Sequence, residues 1–152
     1  MGDFTLRAAT LTDADAVRDL VRELGYGGID AADFAATYEA VLADPTQSVW
    51  LAVERDERGE SRVAGMMSLS CRPQLRLARP VMTVEEMVVT EAARGTGAGS
   101  ALLATAKDEA RRLGAGRLEL HTARGRPSYE RGFYVKNGFR EVDSAVMRWE
   151  PG

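Results

Sequence analysis

The sequence predicts a mixed α/β (α+β) fold in a single domain over residues 1–152, a mostly antiparallel central sheet of about six to seven strands flanked by four helices. Three observations lead there. Segments of period-two apolar alternation are interleaved with segments whose apolar residues recur at helical spacing, so strands and helices must pack into shared layers. A chain of 152 residues suits one compact unit, which at that size buries about 70% of its unfolded surface. Finally, a glycine-rich loop, Arg94-Gly95-Thr96-Gly97-Ala98-Gly99, joins an apolar strand to a helix without interruption.

The elements follow in order. Residues 4–8 alternate weakly and open as a strand. Thr12 with Asp15 three later has the form of a capping box, so a helix is expected from Thr12; Val17, Leu20, Val21 and Leu24 share its buried face and Gly25 stops it. Asp30 with Asp33 repeats the capping logic for a second helix carrying Phe34, Tyr38, Val41 and Leu42, which ends before Pro45. Residues 48–54 and 62–71 read as an antiparallel pair joined by a polar turn at Gly59, 73–80 as a loop, and 81–90 as the next strand. After the glycine loop, Leu102, Leu103, Ala106, Ala110 and Leu113 form a buried stripe, and Gly114 and Gly116 end that helix. Residues 118–122 follow as a strand, parallel to 81–90 through a right-handed crossover. A short helix over 129–137 stops at Gly138, and 139–143 and 145–149 are expected as two closing strands.

Composition narrows the function classes. The net charge of −3 gives no global attraction to nucleic acid or to an anionic membrane. The single Cys71 cannot close an internal disulfide, and neither a basic-plus-apolar leader nor an apolar run near 18 residues is present, which points to a cytoplasmic protein. No His/Cys/Asp cluster has metal-ligand spacing, so no metal is expected. Cys71 reads as a small apolar residue rather than a nucleophile.

The loop from Arg94 to Ser100 carries the chemistry. Glycines there allow tight turns and leave amides uncovered, and the following helix offers unpaired N–H groups and the positive end of its dipole to an anion. A magnesium-nucleotide loop would need Gly-Lys-Ser/Thr, whereas Gly99 is followed by Ser100 and Ala101. A dinucleotide-binding oxidoreductase would place its loop on the first strand of a longer chain, although Glu119 has the spacing of a ribose-binding acid. The spacing of Arg94, Gly97 and Gly99 resembles the acyl-CoA-binding signature of the GNAT N-acetyltransferase family, Arg/Gln-x-x-Gly-x-Gly/Ala. A second segment, Phe133-Tyr134-Val135-Lys136-Asn137-Gly138-Phe139, is similar to that family's Phe-Tyr-x-x-x-Gly-Phe, and the order of elements matches over almost the whole chain.

The resemblance implies an N-acetyltransferase acting by direct attack of a primary amine on acetyl-CoA in a ternary complex, on a GNAT-like sheet splayed centrally at the acyl-CoA site. The backbone of Met87, Val88 and Val89 would hold pantetheine, and amides of Arg94, Gly95, Thr96, Gly97, Ala98, Gly99 and Ser100 would cradle the pyrophosphate. Tyr134 would protonate the departing thiolate; its structural alternative is packing beside Phe133. The base would fall on the strand, at Glu85 by counting back from Arg94, acting directly or through a water, with Glu86 as fallback; alternation sends the two to opposite faces unless a bulge intervenes. Either glutamate could equally face solvent or pair with an arginine. The family's cofactor-contacting asparagine or serine before the tyrosine is replaced here near Pro127 and Ser128. His121, the only histidine, stays open between base, acceptor contact and plain strand end. The acceptor, a small molecule or peptide amine, would meet the first two helices and the late loops around residues 26–34, 74–79 and 124–128. The family also includes homodimers. A non-catalytic acyl-CoA-binding regulatory module is the alternative.

Overall fold

The computed structural model describes residues 2–152. The chain folds as two compact units, one ending at His121 and the other Thr122–Gly152. In the first, β1 (Phe4–Ala8), β2 (Gln47–Arg55), β3 (Ser61–Gln74), β4 (Arg79–Val89) and β5 (Arg117–Leu120) form one sheet in the order β1-β2-β3-β4-β5. All ladders are antiparallel except β4 with β5, which is parallel as the crossover through α3 (Ala98–Arg112) requires. The mixed, mostly antiparallel class is therefore as expected, with five strands in place of six to seven.

Two helices cover one face. α1 (Ala14–Glu23) buries Val17 and Leu20, and α2 (Ala31–Ala43) buries Tyr38, against Val49, Leu51, Met66 and Val88. Asp30 caps α2, accepting from the amides of Ala32 and Asp33 at 2.9 and 3.1 Å. The box at the first helix differs from the expected Thr12/Asp15: the Asp13 carboxylate reaches back to the Thr10 amide at 2.8 Å, a short 3-10 turn follows, and α1 starts at Ala14. Asp13 prevails because it also pairs with Arg7 on β1, a partner too distant in sequence for local pattern to reveal.

On the opposite face α3 buries Leu102, Leu103 and Ala106. Gly65, Met67 and Leu69 share that face by alternation, and a Cβ on Gly65 would lie 3.3 Å from Leu102 Cδ1. The polar stretch 73–80 is not wholly loop: β3 runs to Gln74 and β4 begins at Arg79, with a tight turn over Leu75–Leu77 and Ala78 left-handed at φ 52°.

In the second unit the expected helix over 129–137 is two short ones, α4 (Pro127–Glu130) and α5 (Phe133–Lys136), because Gly132 between them turns left-handed at φ 69°. The closing strands expected over 139–143 and 145–149 are absent. Alternation predicts only which side chains would share a face, whereas a strand also needs a partner edge, and among the described residues no ladder forms there. Val142, Val146, Met147 and Trp149 are exposed.

Candidate functional site

The β3–β4 ladder carries the first feature. Leu69 pairs with Val84 and Ser68 with Glu86, so Glu85 is the extra residue of a bulge. A bulge shifts the alternation by one, which returns Glu85 and Glu86 to the same face. The side chains agree. Ser70 Oγ donates to Glu85 Oε1 at 2.6 Å, Ser68 Oγ donates to Glu86 Oε2, and the Glu86 amide donates to Ser68 Oγ at 3.1 Å. Ser68 and Ser70, two apart on one strand, face the same way. Both serines are buried while both carboxylates reach solvent.

The β4–β5 ladder supplies the second. Its last pair is Val84 with Leu120, yet β4 continues to Val89. Met87, Val88 and Val89 pair with Met67, Met66 and Gly65 on the β3 side, and no β5 residue pairs with them on the other. The outward N–H and C=O groups of this stretch can therefore bond an extended ligand as an added strand would. Glu85 lies at the start of that open edge.

The glycine loop is the third. Gly95 and Gly97 sit at φ 75° and 100°, a region that glycine occupies without penalty, and Gly97 is the N-cap of α3. No side chain caps that end, and its first turn holds no acid, whereas α1 and α2 carry Asp15 and Asp33 in theirs. The amides of Ala98, Gly99 and Ser100 and the positive end of the helix dipole are thus left for an anion, which suits the phosphates of an acyl-CoA. The Gly2 amide donates to the Thr96 carbonyl at 3.0 Å and ties the loop to the start of β1. Arg94, half exposed, lies 3.9 Å from Glu23 at the end of α1.

Within the second unit Tyr134 stands half-buried on α5, its ring edge-on to Phe133 and Phe139 with centroids 5.1 and 6.4 Å apart. Asn137 Nδ2 donates to the Phe133 carbonyl at 2.8 Å and closes that helix. Pro127 is the first residue of α4, and Glu141 accepts from Arg124 and from the Tyr129 hydroxyl. His121 is exposed, just past β5. Burial pushes the Cys71 thiol up, away from the thiolate a nucleophile needs.

Sequence reasoning singles out the loop, Glu85 and Glu86 but misses Ser68 and Ser70. The available signal was two serines spaced by two in the otherwise apolar run Met66-Met67-Ser68-Leu69-Ser70-Cys71, where a buried hydroxyl must find a partner.

Three comparisons bear on this arrangement. The acetyltransferase (GNAT) family profile matches residues 14–139. The aminoalkylphosphonate N-acetyltransferase of Salmonella typhimurium (strain LT2) is 37% identical over 136 residues, covering 90% of this chain and 84% of that protein. Among solved structures, a putative acetyltransferase from Agrobacterium tumefaciens str. C58 superposes with a TM-score of 0.82 at 27% identity over 96% of this chain and 99% of its own. An aminoglycoside N-acetyltransferase solved in complex with CoA gives 0.80 at 17% identity, over 99% and 96%, a likeness of fold alone.

Proposed function

The chain belongs to the GNAT acetyltransferase family, and on that premise we propose that it transfers the acetyl group of acetyl-CoA to the primary amine of a small acceptor that also carries an anionic group, of the aminoalkylphosphonate class. The observation that carries this reading is the bulge that sets two carboxylates on one face at the start of the open β4 edge. The 37% identical aminoalkylphosphonate N-acetyltransferase supports the acceptor class.

An alkyl amine with a pKa of about 10 is almost wholly protonated at neutral pH, so its lone pair must be freed before attack. Glu85 takes that proton. The nitrogen then bonds to the thioester carbonyl carbon and the carbon–sulfur bond breaks. Tyr134 Oη gives the sulfur a proton, and the second proton leaving the nitrogen restores the phenol, so one proton is released per turnover. The Tyr134 role rests on the Phe133 to Phe139 motif. Backbone groups of Met87, Val88 and Val89 bind the pantetheine arm, and the Arg94 to Ser100 loop holds the diphosphate. An ammonium group suits the face that Glu85 and Glu86 share. Arg72, exposed and two residues beyond Ser70, stands on the same face by alternation and would be the cation that meets the phosphonate.

Thiol release from acetyl-CoA with a panel of amines tests this. The expected result is turnover with the highest kcat/KM for 2-aminoethylphosphonate, and no release with any amine would refute it. Arg72→Ala should raise KM for 2-aminoethylphosphonate about tenfold while leaving ethylamine unaffected. An equal effect on both amines would remove the arginine from the acceptor site. Tyr134→Phe should lower kcat by about 10²-fold or more across the pH range, and full turnover in that variant would exclude the phenol as the acid.

A further inference from the structure

We propose that Ser70 is a positioning residue for Glu85, while Ser68 holds Glu86 and with it the bulge that brings Glu85 to the face of Ser70. The inference rests on the reading of Glu85 as the base. A glutamate on an open face has several rotamers of similar energy, and a proton acceptor is effective only in those that point at the nitrogen. Ser70 is 3% exposed, so its own rotamer is set by packing. Flanked along the strand by Leu69 and Cys71, its hydroxyl can satisfy its donor only on the polar face, and it does so on Glu85 Oε1 at 2.6 Å. One oxygen is thereby held and Oε2 is left to accept the proton.

Glu86 is held differently. Its carboxylate accepts from Ser68 Oγ while its own amide donates to that same oxygen, so one buried hydroxyl fixes both the side chain and the backbone of the residue that closes the bulge. Ser68 therefore keeps the bulge in register, and the bulge is what brings Glu85 to the face of Ser70. Glu86 adds a second carboxylate to the face that the acceptor ammonium would approach.

The test is steady-state kinetics of Ser70→Ala, Ser70→Thr, Glu85→Gln and the Ser70→Ala/Glu85→Gln double variant, with 2-aminoethylphosphonate as acceptor and thermal melts alongside. Ser70→Ala should lower kcat about tenfold with KM within about twofold, the size expected for one hydrogen bond to a charged group. Ser70→Thr, which keeps the hydroxyl, should recover most of the loss. In the Glu85→Gln background the serine change should have no further effect, since its action passes through Glu85. A loss of equal size in both backgrounds, or none in the single variant, would overturn the proposal. Full kcat in Glu85→Gln alone would overturn the base reading itself and this proposal with it, a failure told apart because the Glu85 variant shows it without any serine change. Should the alanine variant not fold, Ser70→Cys, whose thiol is a weak donor, reads the same loss.

Discussion

Arg7 and Asp13 form a two-pronged pair, both hydrogen bonds at 2.8 Å, and the Asp13 carboxylate also accepts from the Thr10 amide. The guanidinium hydrogen bonds hold Asp13 down to about 2, against about 3.9 in an unfolded chain. A depressed carboxyl stabilises the fold fully above its unfolded value, and the benefit fades as pH falls from about 4 through about 2. Because the Arg7 side chain is 41% exposed, solvent reduces the benefit to about 1–2 kcal/mol. Asp13→Asn should therefore lower the urea midpoint at pH 7 and flatten its decline between pH 4 and 2; an unchanged acid limb would show that the pair contributes nothing. Gly65 is the second such residue. A Cβ there would sit 3.0 Å from the Val88 carbonyl oxygen and 3.3 Å from Leu102 and Val89 side-chain atoms, so Gly65→Ala should cost about 1–2 kcal/mol, read as a lower denaturant midpoint at unchanged slope. A neutral variant would mean that β4 yields at no cost. Neither effect was legible in the sequence, since the first depends on Arg7 of β1 meeting a residue of the following turn and the second on atoms of β4 and α3.

At the scale of elements, the strand, loop and helix from β4 to α3 were the most legible part of the chain. Glycine at a left-handed position and an uncapped helix start are local properties, and they can be read from residue types alone. Gly97 at φ 100° is the residue on which the loop turns, so Gly97→Val should weaken acetyl-CoA binding by at least about tenfold in calorimetric titration. Binding of wild-type strength in a folded variant would detach the loop from the cofactor. The β4 bulge was illegible for the opposite reason. No residue type marks the insertion, and only the partners of Ser68 and Leu69 reveal that Glu85 is extra. Hence the sequence nominates Glu85 and Glu86, yet strict alternation places them on opposite faces. The helix over 129–137 failed more simply, because a glycine tolerable within a helix here takes the left-handed conformation and divides it.

At the scale of the whole molecule, the largest fully buried side chains, Leu51, Met67, Leu69, Met82, Leu102 and Leu103, all belong to the unit that ends at His121. Stability should be distributed accordingly. Native-state hydrogen exchange should show β3 amides protected to near the global unfolding limit and amides of residues 140–152 exchanging orders of magnitude faster, since the latter make no ladder. Comparable protection in both segments would contradict that division.

The sequence by itself determined the fold class, the five strands of the first unit to within a few residues, the crossover and the loop, because periodicity, caps and glycine conformations act over a few neighbouring residues. It also nominated the two glutamates and the tyrosine motif. The family resemblance implied a splayed sheet, but the tertiary structure alone decided that β4 parts from β5 after Val84, that a bulge turns both carboxylates to one face, and that two buried serines hold them. Those outcomes depend on register and on hydrogen bonds between strands separated by many residues, and no local pattern contains them.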